Sequence, residues 1–256
     1  MEKSQEHIRR YGLIGYPLVH SFSKGYFLEK FKEWDLENCV YQNFSMADIL
    51  GFPNWLKEQH SLFGLNVTIP HKEAILPYLD ELDGVAKEVG AVNCIRFSQG
   101  FSKGYNTDVY GFEMSIKPFL ENKYERALIL GTGGASKAVA FVLRKWGVPF
   151  HFVSRTPKGE SQLGYDVLKS EVMHHFPLII NTTPVGTYPD IDACPLLPYE
   201  GLTPRHFLYD LVYNPEETTF LRLGRLSGAK TMNGYAMLIK QAERSWEIWN
   251  ENNGVH

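Results

Sequence analysis

The run GTGGASKA, residues 131–138, has residue types and spacing suited to holding a phosphate. Gly131, Gly133 and Gly134 follow the apolar run ALIL and precede a strong helical pattern. Glycines there let the main chain come close to a pyrophosphate, while the first amides of the helix point at it. The third glycine comes directly after the second, so the spacing departs from G-x-G-x-x-G, and a plain glycine-rich turn is the other reading of the loop taken alone. Further along, a site for NAD usually carries Asp or Glu about 20 residues past the glycines, to hold a ribose hydroxyl. This sequence instead ends the run FHFV in Ser154, Arg155, Thr156, Pro157 and Lys158. Arg155 is suited to stack on adenine and pair with a 2′-phosphate, Thr156 offers a hydroxyl and Lys158 a second cation. That combination points to NADP(H); its bland alternative is a solvated basic turn.

A second concentration of polar residues occupies the first half of the chain: HSFS at 20–23, NVTIPHK at 66–72, AVNC at 91–94 and YNTD at 105–108. Each falls at the end of an expected strand, where open α/β sheets build their sites. Taken singly, each block also serves as a cap or turn: Ser21 and Ser23 end a strand and cap a helix, Lys72 is a helix-start lysine, and Asp108 is an N-cap.

The elements that must position these blocks follow from periodicity. Gly12 to Gly15 close an apolar strand, and Ser23 is expected to cap a helix through FLEKFKEW. VYQNF reads as a strand, ADILGFPNWLKEQH as a helix unsettled by Pro53, and LFGLNV as a third strand. A helical pair spans Ile75 to Val89, and AVNCIRF and GFSKGYN form a hairpin about Ser98, Gln99 and Gly100. A helix after Asp108 runs toward Leu120. From Ala127 the order is strand ALILG, helix ASKAVAFVLRKWG, strand FHFVS, helix near DVLKSEVMHH, strand LIINT and strand HFLYDLV, which describes a nucleotide-binding half-fold. The last helix, GYAMLIKQAERSWEIWN, carries Met237, Leu238, Ala242, Trp246 and Trp249 on an apolar stripe suited to packing back on the first half. The expected class is α/β in two domains.

Composition narrows the function classes. A formal net charge of −3 over 256 residues supplies no basic field for nucleic acid. Cys39, Cys94 and Cys194 are too few and too far apart for a disulfide framework or a zinc site, which fits a reducing cytoplasm. His174 and His175, with Glu171, lack the further ligands of a metal centre, so no metal is expected. His20 and His71 flank the polar blocks as candidate hydrogen-bond partners. The amino end lacks an apolar leader, and no apolar run is long enough to cross a bilayer. The expectation is a soluble cytoplasmic protein, monomer or homodimer, acting on a small molecule.

In order, the blocks GYPLVHSFS, GLNVTIPHK, GAVNC, GYNTD, GTGGAS, SRT, NTTPVG, YDLVYNP and NGYAML with Gln241 resemble the shikimate dehydrogenase family over nearly the whole chain. The resemblance implies an NADP-dependent oxidoreductase acting on a CH–OH group. Its reaction is the reversible reduction of 3-dehydroshikimate to shikimate, on the route to chorismate and the aromatic amino acids. It implies a substrate domain of open α/β type, residues 1–108 with 233–256, and a Rossmann-like NADP-binding domain, residues 109–232. Ser21 and Ser23 are matched to the substrate carboxylate. Asn66, Thr68, Asn93 and Gln241 are matched to its hydroxyls or neighbouring atoms, joined by Tyr213. Lys72 and Asp108 match the catalytic pair, also in contact with substrate. Gly131, Thr132, Gly133, Gly134, Ala135, Ser154, Arg155, Thr156, Lys158, Thr183, Gly234 and Met237 fall at cofactor positions. Departures from the commonest pattern are Lys24 for proline, Thr132 for alanine, Cys94 for threonine and Ser154 for asparagine.

The implied chemistry suits these groups. Hydride delivery to a ketone leaves charge on oxygen, which a positioned ammonium stabilises and then protonates. A lysine ammonium carries that proton at neutral pH. The closest rival is a quinate/shikimate dehydrogenase of broader specificity, against which two serines rather than a serine and a threonine favour shikimate. A rival of another class is a catalytically silent NADP-binding sensor, against which intact Lys72 and Asp108 argue.

Overall fold

The apolar runs of the first half become the strands of a mixed sheet. In the computed structural model, which describes residues 8–18, 22–120 and 124–251, the chain opens with β1 (Arg9–Gly15), α1 (Phe22–Glu33), β2 (Cys39–Ser45), α2 (Phe52–Lys57) and β3 (Leu62–Val67). It continues through α3 (His71–Ala74), β4 (Glu81–Leu82), α4 (Gly84–Val89), β5 (Cys94–Ser98) and β6 (Phe101–Tyr105). The strands lie in the order β2-β1-β3-β5-β6-β4. β1 pairs in parallel with β2 and β3, whereas β5 runs antiparallel to both β3 and β6. The β5–β6 hairpin forms as expected: Gln99 and Gly100 both have positive φ, the conformation of a two-residue turn whose twist suits the flanking strands.

After α5 (Thr107–Ile116) comes a second sheet, wholly parallel, in the order β12-β11-β10-β7-β8-β9. Its elements are β7 (Ala127–Leu130), α6 (Gly134–Lys145), β8 (Phe150–Val153), β9 (Gln162–Leu163), α7 (Ser170–Met173) and β10 (Leu178–Asn181), then β11 (Phe207–Asp210), α8 (Thr219–Leu226) and β12 (Lys230–Met232). The central strands ALIL, LIIN and FLYD are buried along their whole length, as helix-covered parallel strands must be. The last helix among the described residues is α9 (Tyr235–Asn250). Among the described residues no helix is long and apolar enough to cross a membrane.

Two compact units result: Met1–Thr107 with Ala242–His256, and Asp108–Gln241. The first has apolar clusters on both faces of its sheet. Alternation along β1 sends Tyr11 and Leu13 to Phe27, Phe31, Tyr41, Trp246 and Trp249, and sends Ile14 to Phe52, Leu65, Val67, Ile75 and Ile95. In the second, Leu128, Leu130, Val153, Ile179, Leu208, Phe220 and Leu221 form one cluster. The division inside α9 falls between Gln241 and Ala242, where the sequence reading placed it at 232/233. The first turns of α9 lie against α5, since a Cβ on Gly111 would sit 2.7 Å from Met237 O, whereas Ala242, Trp246 and Trp249 join the aromatic cluster of the first unit.

Local departures have local causes. The helix expected through ADILGFPNWLKEQH breaks into a 3-10 turn at Ile49–Gly51, capped by the Asp48 carboxylate, and α2, with Pro53 in its opening turn where no amide is needed. The helix expected near DVLKSEVMHH shrinks to α7, and the His206 ring takes up the Met173 carbonyl at its end at 3.1 Å. α1 begins at Phe22, so Ser23 stands in its first turn rather than capping it. α5 likewise begins at Thr107, leaving Asp108 in the first turn, where a carboxylate faces the positive end of the helix.

Candidate active site

The polar blocks of the first unit converge through the backbone. Thr68 lies just past β3, its amide donating to Ile14 O at 2.9 Å, and its carbonyl accepts from His71 N at 2.9 Å to start α3. The His71 ring is buried with Nε2 2.6 Å from Met46 O, so it ties α3 to the end of β2. Lys72 follows, half-buried, and its carbonyl accepts from Val92 N at 2.8 Å. That bond holds the lysine beside the turn that carries Asn93. The Asn93 carbonyl in turn accepts from Val67 N at 2.8 Å, and its amide donates to Tyr105 O at 3.0 Å. NVTIPHK, AVNC and YNTD therefore meet at neighbouring strand ends.

A buried side-chain network lies beneath them. The Asn66 amide nitrogen donates to Ser245 Oγ at 2.9 Å and to Asn93 O at 3.3 Å, and its oxygen accepts from the Tyr41 hydroxyl at 2.8 Å. Tyr41 also bonds Ser23, and complete burial raises its phenol well above the ordinary value, keeping it neutral. Thr107 donates its amide to Asn93 Oδ1 at 2.6 Å, and its hydroxyl accepts from Asn93 Nδ2 at 3.0 Å and lies 3.2 Å from Ser245 Oγ. Cys94 joins through Ser245, and burial pushes its thiol up to about 12. Asn66 thus faces inward. Tyr41, Thr107 and Ser245 were missed from the sequence; a serine on the buried stripe of α9 between Ala242 and Trp249 is the signal that marks Ser245. Ser21 and His20 lie outside the described residues. A cavity of about 760 Å³ at the other end of β3, bordered by Lys57, Phe63, Arg96 and Trp249, includes none of the expected site residues.

In the second unit the glycine loop has the geometry its sequence demands. Gly131 has φ +108°, and a Cβ there would fall 2.8 Å from Thr182 Oγ1. Gly133 caps α6 with no side chain, a Cβ on it would meet nothing within 4 Å, and the loop from Thr132 to Ala135 is exposed or half-exposed. The open space about Gly133, at the N-terminus of a twelve-residue helix, fits a pyrophosphate. Past β8, Arg155, Thr156 and Lys158 are exposed, with no acidic residue among them, which fits a 2′-phosphate. The Ser154 hydroxyl bonds the Thr156 amide and carbonyl at 3.2 and 3.1 Å, so it shapes this turn.

Further loops reach the same ends of the parallel strands. Asn181 Oδ1 accepts from the amide and hydroxyl of Thr183 at 3.1 and 2.6 Å. Thr182 donates its hydroxyl to Leu130 O at 2.6 Å, linking the NTTPVG loop to the base of the glycine loop. Tyr213 is half-buried, which raises its ionisation above the usual phenol value. Gly234, whose amide donates to Val212 O at 3.1 Å, opens α9, and Met237 and Gln241 are buried along it. Gln241 Nε2 donates to Leu238 O at 2.9 Å.

With this geometry in view, residues 13–95 match the family model described as the shikimate dehydrogenase substrate binding domain. The shikimate dehydrogenase (NADP(+)) of Halothermothrix orenii is 39% identical, over 93% of this chain and 89% of that protein. This chain belongs to the shikimate dehydrogenase family. That of Desulforamulus reducens, another shikimate dehydrogenase (NADP(+)), is 36% identical over 93% of this chain and 88% of its own. The crystal structure of Thermus thermophilus shikimate 5-dehydrogenase in complex with NADP(H) and shikimate superposes with a TM-score of 0.84 at 33% identity, covering 95% of this chain and 94% of that one. The shikimate dehydrogenase family thus accounts for both sheets, the mixed and the wholly parallel one.

Proposed function

We propose that this protein is an NADP-dependent shikimate dehydrogenase that reduces 3-dehydroshikimate to shikimate and runs the reaction in reverse. The observation that carries the reading is its likeness, over nearly its whole length, to enzymes of that name, with the polar blocks kept at strand ends. When bound, NADPH supplies the hydride. Lys72 stabilises the charge that develops on the carbonyl oxygen and gives that oxygen its proton; in the oxidising direction it takes the proton back. Asp108 orients the ammonium. Ser21 and Ser23 hold the carboxylate, and Asn66, Thr68, Asn93, Tyr213 and Gln241 hold the hydroxyls and ring. Gly131 to Ala135 receive the pyrophosphate, Arg155, Thr156 and Lys158 the 2′-phosphate, and Thr183, Gly234 and Met237 flank the rest of the cofactor. Residues 1–108 with 233–256 serve the substrate and residues 109–232 the nucleotide, in a cytoplasmic enzyme of small molecules.

The test is direct. Purified protein with shikimate and NADP should generate reduced-cofactor absorbance, faster than with NAD and faster than with quinate in place of shikimate. Equal or better use of quinate would overturn the substrate, and no oxidation of either acid would overturn the reaction.

A further inference from the structure

Each sheet ends in two edge strands, and three of these four strands are short. β4 and β9 have two residues each and β12 has three, whereas β2 has seven. Natural proteins protect a sheet edge by keeping it short, by a bulge, or with a charge or proline. β2 has none of these defences. Its sequence, CVYQNFS, lacks any charged residue or proline, and it pairs with β1 residue by residue along its whole length with no shift in register.

Two hydrogen bonds at its ends fix which backbone groups β2 leaves over. Arg9 N donates to Asn38 O at 2.7 Å, and Met46 N donates to Gly15 O at 3.0 Å. Bonds in a parallel pair alternate along the strand, so Val40, Gln42 and Phe44 turn their N–H and C=O groups toward β1, while Tyr41, Asn43 and Ser45 turn theirs away from it. Among the described residues no hydrogen bond reaches those outward backbone groups.

We propose that β2 is an interface at which two copies of this chain join edge to edge, antiparallel, about a two-fold axis through Gln42. The strand is its own complement in that register. Tyr41 of each copy exchanges both backbone bonds with the partner's Asn43, so the outward N–H and C=O groups of both residues are satisfied. On the face that carries Phe44, the half-buried Val40 stands against the partner's Phe44, a branched-to-aromatic pair, and Gln42 stands against the partner's Gln42. A charged peptide would meet no counter-charge along this strand, which favours a second copy over a foreign segment. The assembly closes at two. Each copy uses its long edge on the axis, and the far edge of the same sheet is β4, too short to template a third copy.

The experiment is sedimentation velocity on the full chain over a dilution series, with Gln42→Lys, Gln42→Glu and Gln42→Cys beside wild type. Gln42 is exposed, so these variants should keep the fold, which circular dichroism checks. Wild type should pass from monomer to dimer as concentration rises. Gln42→Lys and Gln42→Glu each set like charges face to face on the axis and should weaken the dimer about fivefold or more, and an equimolar mixture of the two should recover it as a heterodimer. Gln42→Cys should give a covalent dimer on mild oxidation, since residues that face each other between ladder bonds lie about 4.5 Å apart at Cα, within disulfide reach. Wild type treated alike should not cross-link. Wild type that stays monomeric at every concentration would overturn the proposal, and so would a dimer that the charged variants leave as strong as before. Gln42→Cys that fails to cross-link would also overturn it, and that result decides the matter if neither charged variant folds.

Discussion

Asn181 donates its side-chain amide to Asp210 Oδ1 at 2.9 Å, and both residues are wholly buried. The same oxygen accepts from Val212 N at 3.0 Å, and Oδ2 accepts from the Thr218 hydroxyl at 2.6 Å. One carboxylate thus ties together the NTTPVG loop, the YNP loop and the cap of α8.

Those bonds do not fully offset the loss of water. Burial is the leading cause that raises Asp210 from the ordinary 3.8 to about 6. The folded state then holds the proton more tightly than the unfolded chain. The contribution to stability is full below about pH 4 and is lost as pH rises through about 6, on the order of 3 kcal/mol in all. Asp210→Asn should remove this dependence, so its unfolding midpoint should gain on wild type as pH climbs from about 4 to about 7. Parallel midpoint curves for the two proteins would show that Asp210 does not titrate in this window.

Lys72 carries the proton in the proposed reaction, so Lys72→Ala should cut kcat at least about 100-fold, the usual size of a general acid–base contribution. Shikimate and NADP binding, measured by calorimetry, should move far less. A kcat within about twofold of wild type would remove Lys72 from the chemistry.

Arg155 is exposed at the end of β8, where the sequence has no acid to hold a ribose hydroxyl. Reversing its charge in Arg155→Asp should weaken NADP by at least about tenfold and leave NAD nearly unaffected, as expected for loss of a charge-assisted phosphate contact. Equal losses for the two cofactors, read from their KM values, would place the 2′-phosphate elsewhere.

Gly64 lies beneath Trp249. A Cβ at Gly64 would fall 2.3 Å from the indole, whose N–H donates to Ile95 O at 3.0 Å. Gly64→Ala should therefore cost about 1–3 kcal/mol by overpacking and lower the unfolding midpoint by several degrees. An unchanged midpoint would mean that α9 shifts freely over the sheet.

Much of the candidate site was legible because it is local. GTGGAS is a strand, a turn and a helix start in consecutive residues, and Gly131 and Gly133 adopt the conformations that the loop demands. Lys72 and Asn93 were legible as polar residues at strand ends. The bond from Asn66 to Ser245 was not legible, because the two lie 179 residues apart and no short-range pattern joins them. Ser23 was read as a cap but stands inside the first turn of α1, since cap position depends on which backbone turns first.

The sequence by itself determined the alternation of strands and helices, the glycine-rich turn before α6, the basic residues after β8 and the apolar stripe of α9, because periodicity and backbone preference act over a few residues. Tertiary structure alone decided that β5 runs antiparallel to β3, that Trp249 covers Gly64, and that Tyr41, Asn66, Ser245 and Thr107 meet beneath Asn93. The reason is physical: hydrogen bonds between buried side chains are chosen by which surfaces pack together, and that choice is made by the whole core rather than by any segment of it.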